Sequence, residues 1–450
     1  MRFFHLSDLH IGLKLMNRDL GEDQAYILHQ IVTYAAQEQP DAIVIAGDIY
    51  DKAVPSAEAV EIFDRFLSEL VAAVPRAAIM MISGNHDSAP RVDCYRHILE
   101  GQRVYMIGQP PRKPQDRIQR VILEDAYGPV NFYLLPFVKP SMVREIMREN
   151  ASEAAEETTG ENANEAVGEN AGEDAGETAK ETAGEAAEEI TAEIPETEKS
   201  GSHVSYEEAV KRLLEREKID QGQRNVLVSH QFYLPAGSKA EEVERMDSEV
   251  KTLGNIDEIS AELLKPFDYA ALGHIHKPMK VGNEIYRYCG TPLACSVSEA
   301  GQEKGIILVE LGEKRQVRKE MKAEAKTEVE TEMRTEVKIK VRPLQPLRQV
   351  KLIRGKLEEV LPQACRDYVT VVLTDQEDLN ILDMQDRLRN AFPNLLEIRR
   401  DNLPGVDYSR KVTQGRLLDP FALCCAFLQE TGEEEKALLQ DVIHSVEGVK

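Results

Sequence analysis

The sequence predicts an α/β protein: a βαβαβ core, a second sheet of another kind, a small α+β module behind it and a pair of helices at the end. Three observations predict this. Short apolar runs alternate with stretches of helical periodicity in the first third of the chain, antiparallel-looking runs follow, and five of the apolar runs stop at Asp, Asn or His. In open α/β sheets ligands gather just outside the carboxyl ends of the strands, so those five endings are expected to meet.

Met1–Leu6 (MRFFHL) ends in Ser7-Asp8-Leu9-His10. A helical pattern over Glu22–Gln37 places Tyr26, Ile27, Ile31 and Tyr34 on one side. Ala42–Ala46 (AIVIA) has the look of a strand buried on both faces and delivers Gly47-Asp48. A helix over Ser56–Val71 leads to strand Ala77–Ile82, which ends in Ser83-Gly84-Asn85-His86-Asp87. After a helix near Val92–Leu99, Pro110, Pro111 and Pro114 punctuate the chain ahead of two antiparallel strands, Ile118–Leu123 and Val130–Leu135.

Residues 151–200 interrupt this pattern. A G-E-x-A unit recurs there without one aromatic residue, a composition that cannot offset the entropy of ordering, so a disordered acidic insertion is expected. Folding resumes near Val204 with a helix to Arg216. Strand Asn225–Val228 ends in Ser229-His230, and strand Asp268–Leu272 ends in Gly273-His274-Ile275-His276. Glu284–Tyr288 and Gly305–Leu311 bracket Gly290-Thr291-Pro292, and Lys326–Val337 reads as an exposed ribbon.

Beyond Pro343 and Pro346 come strands Gln349–Ile353, Tyr368–Leu373 and Leu395–Arg399 with helices Lys356–Leu361 and Asp383–Asn390. Two amphipathic helices, Pro420–Gln429 and Glu434–Val446, suit docking on a partner helix. The expected organisation is one domain from 1–150 and 201–315, the insertion 151–200, a linker or ribbon over 316–342, a module over 343–412 and a docking segment over 413–450.

Composition narrows the function. No apolar stretch approaches the length of a bilayer span, and Met1–Leu6 runs into Asp8 rather than a signal-peptide core, so a cytoplasmic protein with no membrane partner is expected. Six cysteines without a C-x-x-C pair read as reduced thiols. More than half of the formal charge of −24 lies in 151–200, where 16 acidic residues face Lys180 and Lys199. The remainder is mildly acidic and shows no basic stripe. A nucleic-acid role therefore calls for a partner that supplies part of the phosphate binding.

The strand-end residues carry chemistry. Oxygen and imidazole donors suit hard or borderline divalent ions such as manganese. Two ions about 3.5–4 Å apart need a bridging carboxylate. Asp48 is the expected bridge; Asp8 and His10 suit one metal, Asn85 and His230 the other, and His274 and His276 can offer one imidazole to each. His86 is then free to protonate a departing oxygen, with Asp87 able to orient its other ring nitrogen. The implied reaction is phosphoester hydrolysis by in-line attack. Single motifs of this sort are commonplace, and His5, His29, His97, His203 and His444 are read as core or surface residues. Gly-Asn-His-Asp alone would arise by chance in on the order of one such chain in several hundred, and here five motifs stand in order at strand ends.

Together D-x-H, G-D-x-x-D, G-N-H-D, a strand-end His and G-H-x-H resemble the calcineurin-like metallophosphoesterases, and HLSDLHIG, AGDIYDKAVPS, SGNHDS, ALGHIHKP and YCGTPL are similar to their bacterial DNA-nuclease branch. The resemblance is strong over 1–140 and 204–312 and weaker in the C-terminal module. It implies a β-sandwich core flanked by helices, with a small α+β capping module and C-terminal helices. It also implies a manganese-dependent exonuclease and endonuclease on DNA ends and hairpins, a homodimer within a heterotetramer with an SMC-like ATPase, in DNA repair, recombination and replication. By resemblance one metal takes Asp8, His10, Asp48 and His276, the other Asp48, Asn85, His230 and His274, and His86 is catalytic. The insertion 151–200 stands outside the family pattern, and Asp51 stands where some branches carry His. The alternatives are a small-molecule or nucleotide phosphodiesterase, or protein phosphatase, of the same superfamily, and a tethering subunit with a silent site. The extra module argues against the first and the complete ligand set against the second.

Overall fold

The computed structural model describes residues 1–146, 204–235, 237–238, 249, 257–323, 326–375, 381–401 and 436. Two six-stranded sheets pack face to face. The first runs, edge to edge, Lys326–Pro343, Gly305–Ala323, Arg2–Leu6, Ala42–Ala46, Ala78–Ile82 and Val104–Ile107, and its last four strands are parallel. The second runs Met279–Val281, Asn283–Tyr288, Tyr269–Gly273, Arg224–His230, Gly128–Leu135 and Gln119–Asp125.

Strand alternation sorts the side chains between two layers of core. Phe3, Val44, Ala46, Met80 and Ile82 of the first sheet meet Phe132, Leu134, Val226, Val228 and Ala271 of the second. Phe3 stands edge-on to Phe132 and to Tyr269, with ring centroids 5.4 and 5.6 Å apart. The opposite faces, from Phe4, Leu6, Ile43, Ile45 and Ile79, are covered by helices Gly21–Glu38 and Ala57–Ala73 through Ile27, Ile31, Phe63, Phe66 and Leu70. Helix Tyr206–Glu215 covers the second sheet with Ala209, Val210 and Leu213. Central strands buried on both faces read as unbroken apolar runs, which is why they stood out in the sequence.

Four details differ from expectation. Tyr26 is 44% exposed, because the buried stripe of the first helix is Ile27, Leu28, Ile31, Val32 and Ala35, one residue on. The helix expected near 92–99 is two short ones, Ala89–Val92 and Arg96–Glu100, broken where Tyr95 takes a left-handed φ of 60°. Strand Val104–Ile107, only four residues long and without a polar ending, was not anticipated. Finally, Gly305–Ala323 and Lys326–Pro343 form one long hairpin whose base pairs with Arg2–Leu6, so the linker or ribbon expected over 316–342 is continuous with the edge of the core sheet. The insertion 151–200 and the tail helices lie outside the described residues, Lys436 apart.

Behind the hairpin, three parallel strands, Val350–Gly355, Tyr368–Leu373 and Leu395–Arg400, pack on helices Leu357–Val360 and Ile381–Ala391. This module joins the main core: Leu344, Val350 and Tyr368 pack in the same cluster as the first helix. Buried Asp23 accepts from the Tyr368 hydroxyl at 2.8 Å and from Arg348 Nη1 at 2.6 Å.

Candidate metal centre

Three strand ends of the first sheet and two of the second converge. Their loops are zipped together by backbone bonds from Asp8 N to the Gly47 carbonyl and from His10 N to the Asp48 carbonyl, both 3.0 Å. Asp8, His10 and Asp48 all hold left-handed φ values of 53°, 43° and 49°, a strain that non-glycine residues sustain where the surroundings over-determine them. Two glycines make the close approach possible. A Cβ on Gly47 would lie 2.3 Å from His230 Nδ1, and one on Gly84 would lie 2.1 Å from Asp48 Oδ1.

Six donors fall into two groups around a seventh, Asp48. His10 Nε2 and His276 Nε2 are 3.1 Å apart, and both rings share a compact group with Asp8. On the other side Asn85 Oδ1 lies 3.0 Å from His230 Nε2 and 2.9 Å from His274 Nδ1. Asp48 Oδ2 faces both groups, 3.7 Å from His10 Nε2 and 3.2 Å from His230 Nε2.

The donors fit divalent cations. His10 Nδ1 is buried without a hydrogen-bond partner, and two imidazole nitrogens pointed at one another make sense around a shared positive charge. Burial pushes His10 down to about 3, so it is a neutral imidazole with a lone pair to give. Burial opposes the charge on Asp48, yet His230, with His10 and His86 behind it, holds that carboxyl well below the usual range. Burial also opposes charging His230, but the Asp48 and Asp8 carboxylates and the Ala46 carbonyl push it up to about 9. Cys295 lies beside His276 and Glu299, but burial pushes its thiol well up and keeps it protonated, which leaves a poor ligand.

A testable consequence follows from His230. A metal taken by its Nε2 displaces the proton that Asp48 stabilises, so below about pH 9 the proton competes with the ion. Adding Mn²⁺ to metal-free protein in weak buffer near pH 7.5 is expected to release close to one proton from this residue, and apparent affinity to rise about ten-fold per pH unit until it levels near pH 9. Affinity independent of pH in that window would remove His230 from the ligand set.

Neighbouring residues fix these donors. His276 is held on three sides: its N–H donates to Glu249 Oε1 at 2.9 Å, its carbonyl accepts from Lys304 Nζ at 3.0 Å, and its Nδ1 lies 3.5 Å from Glu299 Oε1. Glu299 and Lys304 are themselves a buried ion pair. Gln24 clamps the Asp8–His10 loop, donating to the His10 carbonyl at 2.7 Å and accepting from Gly12 N at 2.9 Å. None of these supporting residues was singled out from sequence. The available signals were the Ser296-x-x-Glu299 spacing of a helix start and the polar pair Asp23-Gln24 on the apolar stripe of the first helix. Gln24→Ala leaves two buried backbone groups unpaired, at a cost of about 1–3 kcal/mol; thermal unfolding and metal content should both fall, and unchanged values would show that the loop stands without the clamp.

His86 sits beside the two groups, its ring centroid 4.9 Å from that of His10. Its backbone N–H donates to Asp48 Oδ1 at 2.8 Å, and its Nδ1 is 2.9 Å from the Asp51 carbonyl. That carbonyl, not Asp87, orients the ring. The expected role of Asp87 is corrected here, because its carboxylate is spent on the backbone N–H groups of Ile49, Tyr50 and Gly84, at 3.0, 3.0 and 2.9 Å, and so ties the 84–87 loop to the 48–51 loop. His5 is a core residue, its ring nitrogens 3.0 Å from the Tyr269 hydroxyl and 3.2 Å from the Leu272 carbonyl. His29 and His97 are exposed, and His203 and His444 lie outside the described residues.

A family model described as calcineurin-like phosphoesterase matches residues 1–136, the part that carries Asp8, His10, Asp48, Asn85 and His86. Residues 1–136 therefore carry a calcineurin-like phosphoesterase domain. A second model, described as the type 5 capsule protein repressor C-terminal domain and abbreviated SbcD_C, matches 343–431. The chain is similar to the SbcD subunit of the nuclease SbcCD of Staphylococcus epidermidis, 26% identical over 410 residues, 88% of this chain and 85% of that protein. Two solved structures share broad coverage at low scores. One is GAP50, the anchor in the inner membrane complex of Plasmodium, with 11% identity, TM-score 0.36 and coverage of 90% of this chain and 98% of its own. The other is a dimetal phosphatase from Danio rerio, with 15% identity, TM-score 0.33 and coverage of 75% and 98%. The phosphoesterase match ends before His230, His274 and His276, which join the site through the second sheet.

Proposed function

We propose that this calcineurin-like phosphoesterase is a two-metal DNA nuclease that cuts duplex ends and hairpins and works with an SbcC-like SMC ATPase, as a homodimer within a heterotetramer. The observation that carries the reading is Asp48 Oδ2 facing an imidazole from each of two donor groups. Asp8, His10 and His276 would hold one cation, Asn85, His230 and His274 the other, with Asp48 common to both. Oxygen and imidazole donors favour Mn²⁺.

The bound metals supply charge neutralisation at the phosphate and activation of the attacking water. The chain's own residues do the rest. A carbonyl oxygen only accepts, so the bond to Asp51 requires a proton on His86 Nδ1, and a second proton, on Nε2 of the imidazolium form, is the one the ring can hand to the departing oxygen. Asp8, whose burial raises its carboxyl, accepts from His274 N at 3.0 Å and so couples the 274–276 loop to the 8–10 loop.

DNA as substrate and the ATPase as partner rest on the similarity to the nuclease SbcCD and on the C-terminal match, which a small-molecule phosphodiesterase would not need. The acidic balance of the chain fits a partner that shares the phosphate contacts. The test compares hairpin DNA with a small phosphodiester, each with Mn²⁺ and with EDTA. Mn²⁺-dependent cutting of the hairpin is the expected result; turnover of the small diester alone would move the protein to the phosphodiesterases.

A further inference from the structure

An open cavity of about 320 Å³ adjoins the metal centre, with His86, Asn85 and His274 on one side and Phe137, Tyr206 and Lys139 on the other. Phe137 lies just past strand Gly128–Leu135, and its backbone is pinned by a 3.0 Å bond from its N–H to the Ser83 carbonyl. Its ring is nearly parallel to the His274 imidazole, at 19° and 6.3 Å, and tilted against Tyr206 at 6.3 Å. Tyr206 opens helix Tyr206–Glu215, which is fixed by the Ser205 cap. Packing of Phe137 on His274 accounts for one contact, but not for a second aromatic ring that is also only half-buried, nor for exposed Lys139 on the same rim.

Resting on the nuclease reading, we propose that Phe137, Tyr206 and Lys139 form a subsite for one unpaired nucleoside next to the scissile phosphate, with the base against the aromatic pair and Lys139 at the sugar–phosphate backbone. Aromatic faces stack any base, so the subsite is indifferent to sequence, as a nuclease of ends and hairpins requires. The cavity is at the small end of ligand pockets. Its volume suits one nucleoside rather than a base pair. A paired nucleotide must therefore leave its stack before the bond beside it is cut, at a cost that is least at frayed ends and hairpin loops.

The test uses the full-length manganese-loaded protein and a short single-stranded oligonucleotide that is either intact or abasic at one of the two nucleotides flanking the cut. In the wild type, loss of the base on one side of the cut is expected to lower kcat/KM by about ten-fold, the scale of one lost base–aromatic stack, and loss on the other side to matter little. In Tyr206→Leu and Phe137→Leu the intact-to-abasic ratio should fall towards one, while Tyr206→Phe should keep the wild-type ratio. Metal content is measured for each variant, which separates lost stacking from a disturbed His274. A wild type indifferent to base loss on both sides, or leucine variants with the wild-type ratio, would overturn the subsite and leave the nuclease reading standing. Failure of the wild type to cut any oligonucleotide would overturn both.

Discussion

Asp48→Asn yields a folded protein that holds far less than two metals and loses activity by at least about 10²–10³-fold, the scale on which removal of one preorganised charge is felt. The amide has the shape of the carboxylate, so the bond from His86 N to Oδ1 and the left-handed loop survive. What goes is the negative charge shared by the two donor groups, since Oδ2 faces both His10 and His230. A neutral amide oxygen cannot bridge two dications held about 4 Å apart. The pH behaviour should change with it. Asp48 is the leading cause that lifts His230 to about 9, so in the variant that imidazole titrates lower and the proton release on metal addition near pH 7.5 shrinks. The measurement is metal content by elemental analysis beside the pH dependence of Mn²⁺ binding. Wild-type metal content would sink the bridge.

His86→Ala has the opposite signature: metal content stays at the wild-type level and turnover falls by about 10²–10⁴-fold, the range for loss of a general acid. Its backbone N–H, which Asp48 needs, is retained by alanine. The loss should fall on kcat more than on KM, because a group that acts on the departing oxygen works in the transition state. It should also shrink on a substrate whose leaving group is a good phenolate that needs no proton. Metal loss together with activity would make His86 a ligand. An equal loss on both substrates would make it a substrate-binding residue.

Much of this centre was legible because chemistry and fold coincide at strand ends. A run such as Ala42–Ala46 announces a strand by its apolar residues, and the polar residue that stops it is placed where ligands bind. Five such stops gave seven donors and His86, and the structure brings all eight together. The supporting residues were hidden for a physical reason. Glu299, Lys304 and Gln24 act through hydrogen bonds from loops and helices outside the strand-end motifs, and a lone Glu, Lys or Gln has no pattern to betray it.

Asp87 failed in the complementary way. Adjacent to His86 in sequence, it was assigned to that ring, but the 84–87 loop bends back on itself, and the Asp87 carboxylate caps three amides instead. Tyr26 went astray by one position: the buried stripe runs through Ile27–Leu28, Ile31–Val32 and Ala35, and Tyr26, 100° before Ile27 and 200° before Leu28, falls off its edge. Strand Val104–Ile107 ends at no polar group, so it carried half of the usual signal.

The central claim is that Asp48 joins two metal sites, and anomalous diffraction from a crystal soaked in Mn²⁺ tests it directly. Two peaks about 3.5–4 Å apart are predicted, with Asp48 contacting both, Asp8, His10 and His276 around one, and Asn85, His230 and His274 around the other. A single peak, or a pair that leaves Asp48 in contact with only one ion, would contradict it.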